Sequence, residues 1–221
     1  MAEVLSRGGP FSLDDSRELQ QDAYLARAMT MLEAFEGWTA SDPEVEAARQ
    51  DLAEWDGVFR RESRAALIFR EVEEELAAGV RPSRASDPGF QRMVEGALAR
   101  ALDDLTATFG EDRSRWRWGR IHRSDFPHSL ISAYDIPGVE RSGGAGTVAA
   151  TGATYRQIID FSDLDSSIGS NAPGQSGRPG SPYYGNLTEG WGAGEYFPLL
   201  FSREAVEARA EHRLVLTPAG G

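Results

Sequence analysis

The chain has 221 residues, 40% of them apolar, and a net charge of -12 at pH 7, which predicts one large folded domain or two small ones. The acidic charge disfavours nucleic acid and anionic membranes as partners, and no apolar run approaches the ~20 residues of a membrane helix. The sequence contains neither cysteine nor lysine, which excludes disulfides, thiol catalysis, cysteine-ligated metals and a catalytic lysine.

The first half of the sequence, residues 1–112, is predicted to be a helical segment. Ser12 followed by Asp15 is typical of a capping box at a helix start. Asp42 before Pro43 predicts a second start, with the acid as cap and the proline in the first turn. Two apolar stripes at helical spacing follow these starts: Leu25, Ala28, Met29, Leu32 and Phe35, then Val45, Ala48, Leu52 and Trp55.

Two more helices are predicted after the punctuating pair Asp56-Gly57, with a loop over 82–88 between them. The third helix carries an acidic run, Glu71, Glu73, Glu74 and Glu75, which we interpret as a solvated outer face. The fourth has the most regular apolar periodicity. The inward positions are Ala65, Ile68, Phe69, Val72 and Leu76 in the third helix, and Phe90, Met93, Val94, Ala97, Leu98, Ala101, Leu102 and Leu105 in the fourth.

The second half, residues 113–221, is predicted to be a β-rich segment with a long wrapping loop. Four strands are predicted, at 115–121, 147–150, 155–161 and 214–216, and the middle two should pair across Gly152. A glycine-rich turn is expected at 143–146. The polar stretch 162–182 is predicted as a loop of a length that is usually functional, and Ser202 should cap a short helix over 203–210.

Short motifs run through both halves in a definite order. The helical half contains Phe11-Ser12-Leu13-Asp14-Asp15 and Leu52-Ala53-Glu54-Trp55-Asp56-Gly57. The β-rich half contains Trp118-Gly119-Arg120-Ile121-His122, Gly143-Gly144 before Thr147-Val148, Tyr155-Arg156-Gln157-Ile158-Ile159-Asp160, Asn171-Ala172-Pro173-Gly174-Gln175-Ser176-Gly177, Ser181-Pro182-Tyr183-Tyr184, Tyr196-Phe197-Pro198-Leu199 and Leu214-Val215-Leu216-Thr217-Pro218. In order and spacing these motifs resemble the C-terminal part of the large chain of the penicillin acylase family of N-terminal nucleophile hydrolases.

The resemblance implies an α+β fold, the C-terminal portion of a four-layer αββα sandwich in which both halves belong to one larger acylase domain. It also implies an amidohydrolase that cleaves a small acyl-amide substrate into a carboxylic acid and an amine. In the family, self-cleavage of a precursor exposes an N-terminal serine whose own amine acts as the base. A backbone amide and an asparagine side chain stabilise the oxyanion. Calcium is expected in the full-length family enzyme, and members are typically periplasmic or secreted.

None of these catalytic parts can be carried onto a position of this sequence, and all are expected upstream of Met1. Ser6 and Ser12 are not N-terminal, so self-processing within the chain is not expected. The calcium carboxylates are also expected upstream, and no cofactor is assigned to this chain. Residues 1–10 have no apolar centre, which predicts no signal peptide and leaves the localisation open. We therefore expect the chain to require upstream acylase segments as its partner and to be inactive alone.

Asp160 is the single candidate catalytic residue that the resemblance assigns. In some cephalosporin-acylase-like relatives, a carboxylate at the end of the corresponding strand orients a histidine near the nucleophile. A carboxylate does this by hydrogen-bonding the imidazole. The alternative, which we favour, is an acid bonded to backbone amides or paired with Arg156.

Other constellations have competing interpretations. His122, Asp125 and His128 suggest a metal site, but their spacing favours hydrogen-bonded structural histidines. The stretch 174–177 resembles a hydrolase elbow, although Arg178 stands where that motif requires glycine. The aromatic residues of the second half suit either core packing or an acyl-binding platform.

Two other functions stay open at this point. One is a stand-alone, non-catalytic binding module derived from the same family. The other is an independent serine hydrolase that uses Ser176 with His122 or His128. Within the acylase interpretation, β-lactam side chains, acyl-homoserine lactones and cyclic lipopeptides are all candidate substrates.

Overall fold

The computed structural model describes residues 2–77, 86–149 and 153–218. The chain forms two compact units: Met1–Gly8 with Glu18–Ala153 (unit 1), and Gly9–Arg17 with Thr154–Gly221 (unit 2). The described helices are α1 (Ala2–Ser6), α2 (Leu13–Gln20), α3 (Ala26–Leu32), α4 (Pro43–Ala53), α5 (Arg64–Ala77), α6 (Pro88–Phe109), α7 (Thr188–Ala193) and α8 (Arg203–Arg209). The described strands are β1 (Arg123–Phe126), β2 (Ile136–Glu140), β3 (Tyr155–Ile158), β4 (Ile168–Asn171) and β5 (Phe197–Pro198). Among the described helices, none has the length and apolar character needed to span a membrane.

The predicted helix starts are confirmed by their capping hydrogen bonds. The Asp42 carboxylate accepts the backbone amides of Glu44, at 2.7 Å, and Val45, at 3.1 Å, at the start of α4. At α2 the capping box is reciprocal: Asp15 N donates to Ser12 Oγ at 3.0 Å, and Ser12 N donates to Asp15 Oδ2 at 2.8 Å. These bonds satisfy amides that the first turn of a helix leaves without partners.

The core of unit 1 is built mainly by α4, α5 and α6, which all pack against one another. Four aromatic side chains, Trp55, Phe59, Phe69 and Trp118, extend this core with ring centroids 4.9–6.1 Å apart. Most of the residues predicted to point inward are buried. Met29 and Met93 are instead exposed, at 39% and 42%, and Ala65 is only partly buried.

The strand predicted over 115–121 is wrong. Two short 3-10 turns, Arg113–Arg115 and Trp118–Arg120, occupy this stretch. The large side chains that suggested a strand are anchored individually, because Trp116 Nε1 donates to Gly110 O at 2.9 Å and Trp118 Nε1 donates to Gly143 O at 2.8 Å. Burying two tryptophans with satisfied indole N–H groups determines this backbone more strongly than β-propensity does.

An antiparallel hairpin follows in unit 1. Strand β1 pairs with β2, and Arg123 lies opposite Glu140. The expected glycine-rich turn is present, since Thr147 N donates to Gly144 O at 3.1 Å. Residues 147–149, however, form bends instead of the predicted strand. Residue 150 of that strand and residues 82–85 of the predicted loop lie outside the described ranges.

Unit 2 contains a three-stranded antiparallel sheet in the order β3-β4-β5, and α7 packs on β4. The strand predicted to begin at Tyr155 is confirmed through Ile158, but its partner is β4, which lies inside the predicted loop 162–182. A 3-10 turn over Leu164–Ser166 reverses the chain between the strands, and the Asp163 side chain caps it by accepting the amide of Asp165 at 3.2 Å.

The end of unit 2 confirms one prediction and contradicts another. Ser202 caps α8, because its hydroxyl oxygen accepts the amide of Ala205 at 3.1 Å. The final strand predicted over 214–216 is not formed. Instead, Leu214, Val215 and Leu216 are 82%, 72% and 83% exposed.

Candidate functional site

Unit 1 contains a polar cavity of ≈ 170 Å³. Helices α3 and α5, the segment from Trp118 to His122 and the turn at Gly144–Thr147 contribute its walls. The lining residues are Arg27, Phe59, Arg70, Glu73, Trp118, His122, Gly144, Ala145 and Thr147.

Glu73 lies at the centre of the charged wall and is only 6% exposed. Its Oε1 accepts from Arg27 Nε at 3.0 Å and Nη2 at 2.7 Å, while Oε2 accepts from Arg70 Nη1 at 2.8 Å. The two arginine side chains are 50% and 39% exposed, so they stay partly hydrated while they neutralise the buried carboxylate. A buried carboxylate requires such charge-assisted partners.

The prediction that Glu73 belongs to a solvated acidic face is therefore wrong. Glu73 is four residues after Phe69 and three before Leu76, both of which are fully buried, so it lies on the inward face of α5. This spacing could have predicted from the sequence that Glu73 is buried, but the adjacent glutamates suggested a solvent-exposed face instead. The side chains of Glu74 and Glu75 lie outside the described residues.

His122 also lines the cavity and stacks on Trp118, with ring centroids 5.0 Å apart and an interplanar angle of 23°. Its Nε2 is buried and has no hydrogen-bond partner among the residues that the structure describes. Burial, and after it the Arg141 cation, lower the pKa of His122 from 6.5 to about 4. The imidazole is therefore neutral at pH 7.

The depressed pKa predicts how stability depends on pH. An unfolded chain binds this proton more tightly, so the His122 contribution is complete above pH 6.5 and is lost as the pH falls towards about 4. The wild-type chain should lose more stability than His122→Phe over this window in urea titrations at fixed pH values. His212→Phe, at an exposed histidine, is the control and should follow the wild type. Equal pH dependence in all three proteins would contradict the assignment.

His128 has a local structural role. Its Nδ1 accepts the backbone amides of Leu130, at 3.2 Å, and Ile131, at 3.1 Å, and its own amide donates to Asp135 Oδ1 at 2.7 Å. These bonds fit the favoured interpretation of a hydrogen-bonded histidine. Across the described ranges, no group of three or more His, Asp or Glu side chains is arranged to hold a metal ion.

Asp160 lies in unit 2, just after β3, where its carboxylate closes a turn. Its Oδ1 accepts from the Ser162 hydroxyl at 2.6 Å, from the Ser162 amide at 2.8 Å and from the Asp163 amide at 3.3 Å. Hydrogen bonds from Ser162 hold the pKa of this carboxyl below its usual range. These are the contacts of a turn-capping acid, and the role of Asp160 in orienting a histidine stays a prediction.

Ser176, the serine of the elbow-like stretch, also closes a turn. Its hydroxyl oxygen accepts the Arg178 amide at 3.1 Å, and its own amide donates to Tyr183 O at 3.0 Å. The turn replaces the sharp strand-to-helix junction that exposes a nucleophilic serine in hydrolases of the elbow type.

Comparison with known proteins identifies the family. The penicillin amidase family matches residues 1–208. The acyl-homoserine lactone acylase QuiP of Pseudomonas syringae pv. syringae (strain B728a) is 30% identical over 142 residues, which cover 55% of this chain and 17% of that protein. The penicillin acylase 2 proenzyme of Pseudomonas sp. (strain SE83) is 26% identical over an aligned length of 269 residues. That alignment covers 98% of this chain and 34% of that protein.

A solved structure agrees with the sequence comparison. The thermostable penicillin G acylase from Alcaligenes faecalis superposes on the whole chain with a TM-score of 0.56, at 16% identity and over 52% of its own length. Together with the described helices and antiparallel sheets, this likeness confirms the α+β fold class. This chain spans at most about a third of the length of the two curated relatives above. The match over residues 1–208 shows that the chain belongs to the penicillin amidase family.

Proposed function

We propose that this chain is the C-terminal portion of an amidohydrolase that cleaves acyl-amide bonds into a carboxylic acid and an amine. The observation that carries the proposal is the family match over residues 1–208. The relatives named as acylases support the reaction class, and the likeness to penicillin G acylase supports a four-layer αββα arrangement for the longer enzyme.

In this proposal the nucleophile and the oxyanion donors come from sequence outside this chain. The chemistry requires a serine with a free α-amine, which serves as its own base, and donors aimed at the developing oxyanion. Ser176 lies within a turn, and Asp160 is a positioning residue at most. The partner is therefore the upstream part of the acylase, and the substrate is a small acyl-amide.

Calcium belongs to the longer enzyme in this proposal. It prefers six to eight oxygen ligands, many of them carboxylates. The part of the chain that the structure describes offers no group of three or more acidic or histidine side chains that would fit such an ion. No step is therefore assigned to calcium in this chain.

Exposed apolar side chains in unit 2 favour this proposal over a stand-alone binding module. Phe161 is 90% exposed and Phe201 is 71% exposed, in addition to the apolar tail over 214–216. A closed module would bury such side chains, whereas a portion of a larger domain leaves them for neighbouring segments to cover.

Activity assays test the proposal directly. The purified chain should not hydrolyse chromogenic N-acyl anilides of varied acyl length, and a fluorophosphonate probe should not label it. Co-production with an upstream segment that carries the N-terminal serine should give turnover. Turnover by the chain alone that disappears in Ser176→Ala would overturn the proposal.

A further inference from the structure

We propose that a second pocket of unit 1, the arginine pocket, binds a phosphate group, as free phosphate or as a phosphate monoester. The arginine pocket has a volume of ≈ 440 Å³ and is lined by Ser114, Arg115, Arg117 and Arg120. Within the described part of the chain, its lining contains neither an acidic nor an apolar side chain. The inference is independent of the amidase proposal, because binding here requires neither a nucleophile nor an oxyanion site.

The sequence concentrates positive charge in this segment. Residues 113–123 contain five arginines and no acidic residue, in a chain whose net charge is -12. The surface of such an acidic chain repels anions in general, whereas a segment of this composition attracts them locally.

The tryptophans of the segment direct its arginines outward. Trp116 and Trp118 are 1% and 6% exposed, and each indole donates to a backbone carbonyl. Arg115 and Arg117 alternate with them along the chain and are exposed. The backbone is also fixed by Trp118 N, which donates to Ser63 O at 3.0 Å. The guanidinium groups are therefore presented to solvent from a well-anchored segment.

Contacts at the rim hold two of the three guanidinium groups in place. Arg117 Nη2 donates to Glu140 Oε1 at 2.9 Å. The Arg120 guanidinium lies over the ring of Phe109, 4.8 Å from its centroid, which is a cation–π contact. Side chains that are ordered before the ligand arrives lose less conformational entropy on binding.

Glu140 is an acid that contacts the arginine pocket directly, but it does not neutralise it. Besides Arg117, it lies 3.8 Å from Arg123, so its one negative charge is shared between two cations. Among the described residues, no carboxylate forms an ion pair with Arg115 or Arg120. The pocket therefore retains positive charge.

Asp112 reduces this charge without removing it. Its Oδ1 accepts from the Ser114 hydroxyl at 2.6 Å and from the Ser114 amide at 3.1 Å. These hydrogen bonds, with a smaller contribution from the Arg115 cation, lower the pKa of Asp112. Even if Asp112 is counted fully against Arg115, the Arg120 cation has no acidic partner in the ranges that the structure describes.

The donors of the arginine pocket match a tetrahedral oxyanion. Each guanidinium is a planar fork of N–H donors that suits phosphate geometry. A phosphate group presents more oxygens than the two of a carboxylate, so it can accept from three arginines at once. A ligand recognised mainly through a ring or an acyl chain would need an apolar wall, which the described lining of this pocket does not provide.

Anion titrations of the whole chain test the proposal. By calorimetry at matched pH and ionic strength, inorganic phosphate should bind saturably, and acetate should bind at least about five-fold more weakly. Methyl phosphate distinguishes the two sources. Binding at least as tight as that of phosphate supports a monoester, and weaker binding supports free phosphate. Equal affinities for phosphate and acetate, or no saturable binding of phosphate, would overturn the proposal.

A matched pair of variants locates the site. Arg120→Gln should weaken phosphate binding at least about five-fold, because it removes the cation that no acid neutralises. Arg60→Gln removes the same charge from an arginine that pairs with Asp56 and does not line the pocket, so it should bind like the wild type. Equal loss in both variants would show nonspecific attraction and refute the site. If Arg120→Gln does not fold, Arg115→Gln should show the same loss, and unchanged affinity would count against the pocket.

Glu140→Gln should have the opposite effect. It removes the negative charge that competes for Arg117 and preserves the size of the side chain, so phosphate binding should tighten at least about two-fold. Damage to the fold would weaken binding, so a gain in affinity separates an anion site from a structural defect. Unchanged or weaker binding by this variant would contradict the role of Arg117.

Discussion

Replacing Leu98 with alanine should lower the free energy of unfolding by about 2–5 kcal/mol. Leu98 lies in the middle of α6, is fully buried and belongs to the core that α6 shares with α4 and α5. The substitution removes buried apolar surface and leaves a void that three packed helices cannot readily close. Urea titration followed by circular dichroism measures the loss.

Leu130→Ala is the matched control for this prediction. Leu130 belongs to the same unit, in the connection between β1 and β2, and is 87% exposed. The same chemical change there should alter the unfolding free energy by no more than about 0.5 kcal/mol. Comparable losses in the two variants would show that α6 is not packed as described.

Glu73→Ala should lower the free energy of unfolding by about 2–3 kcal/mol. The substitution removes the acceptor of three charge-assisted hydrogen bonds: two from Arg27, which join α3 to α5, and one from Arg70 within α5. The loss is smaller than for a fully buried ion pair, because Arg27 and Arg70 are 50% and 39% exposed and can be hydrated in the variant. Urea titration at neutral pH measures it.

Glu62→Ala is the comparison for Glu73. Glu62 also pairs with an arginine, Arg61, at 2.6 Å, but its side chain is 64% exposed. An exposed pair of this kind contributes at most about 1 kcal/mol. If Glu73→Ala is no more destabilising than Glu62→Ala, the buried carboxylate does not hold α3 and α5 together.

The parts of the fold that sequence reasoning predicted correctly depend on local chemistry. The caps at Asp42 and Ser202 are recognisable because a side chain serves amides only two or three residues away. The inward face of α6 is recognisable because helical periodicity repeats along the whole element. The family resemblance depends on the order of the motifs along the chain, and no single helix cap or apolar stripe provides that information.

Distant contacts explain what sequence reasoning missed. Glu73 is buried because Arg27, 46 positions earlier in the chain, reaches it. The segment around Trp118 is not a strand because its indole donates to Gly143, 25 positions later. Strand β4 was not predicted because its sequence, Ile-Gly-Ser-Asn, has a single large apolar residue. Its extended conformation depends on the pairing with β3. Of the candidate site, Asp160 was named from resemblance alone. Sequence motifs contain some cavity residues, Trp118 with His122 and Gly144 with Thr147, but no motif connects them to the charged residues of α3 and α5.

The division of the chain between its two units has a consequence for biosynthesis. Residues 9–17 belong to unit 2, yet the rest of that unit begins only at Thr154, after the intervening residues of unit 1. A ribosome adds roughly 5–20 residues per second. The early segment is therefore synthesised on the order of ten seconds before the strands that complete its unit. Unit 1 can fold during this interval, whereas unit 2 can complete its folding only after its later residues have been synthesised.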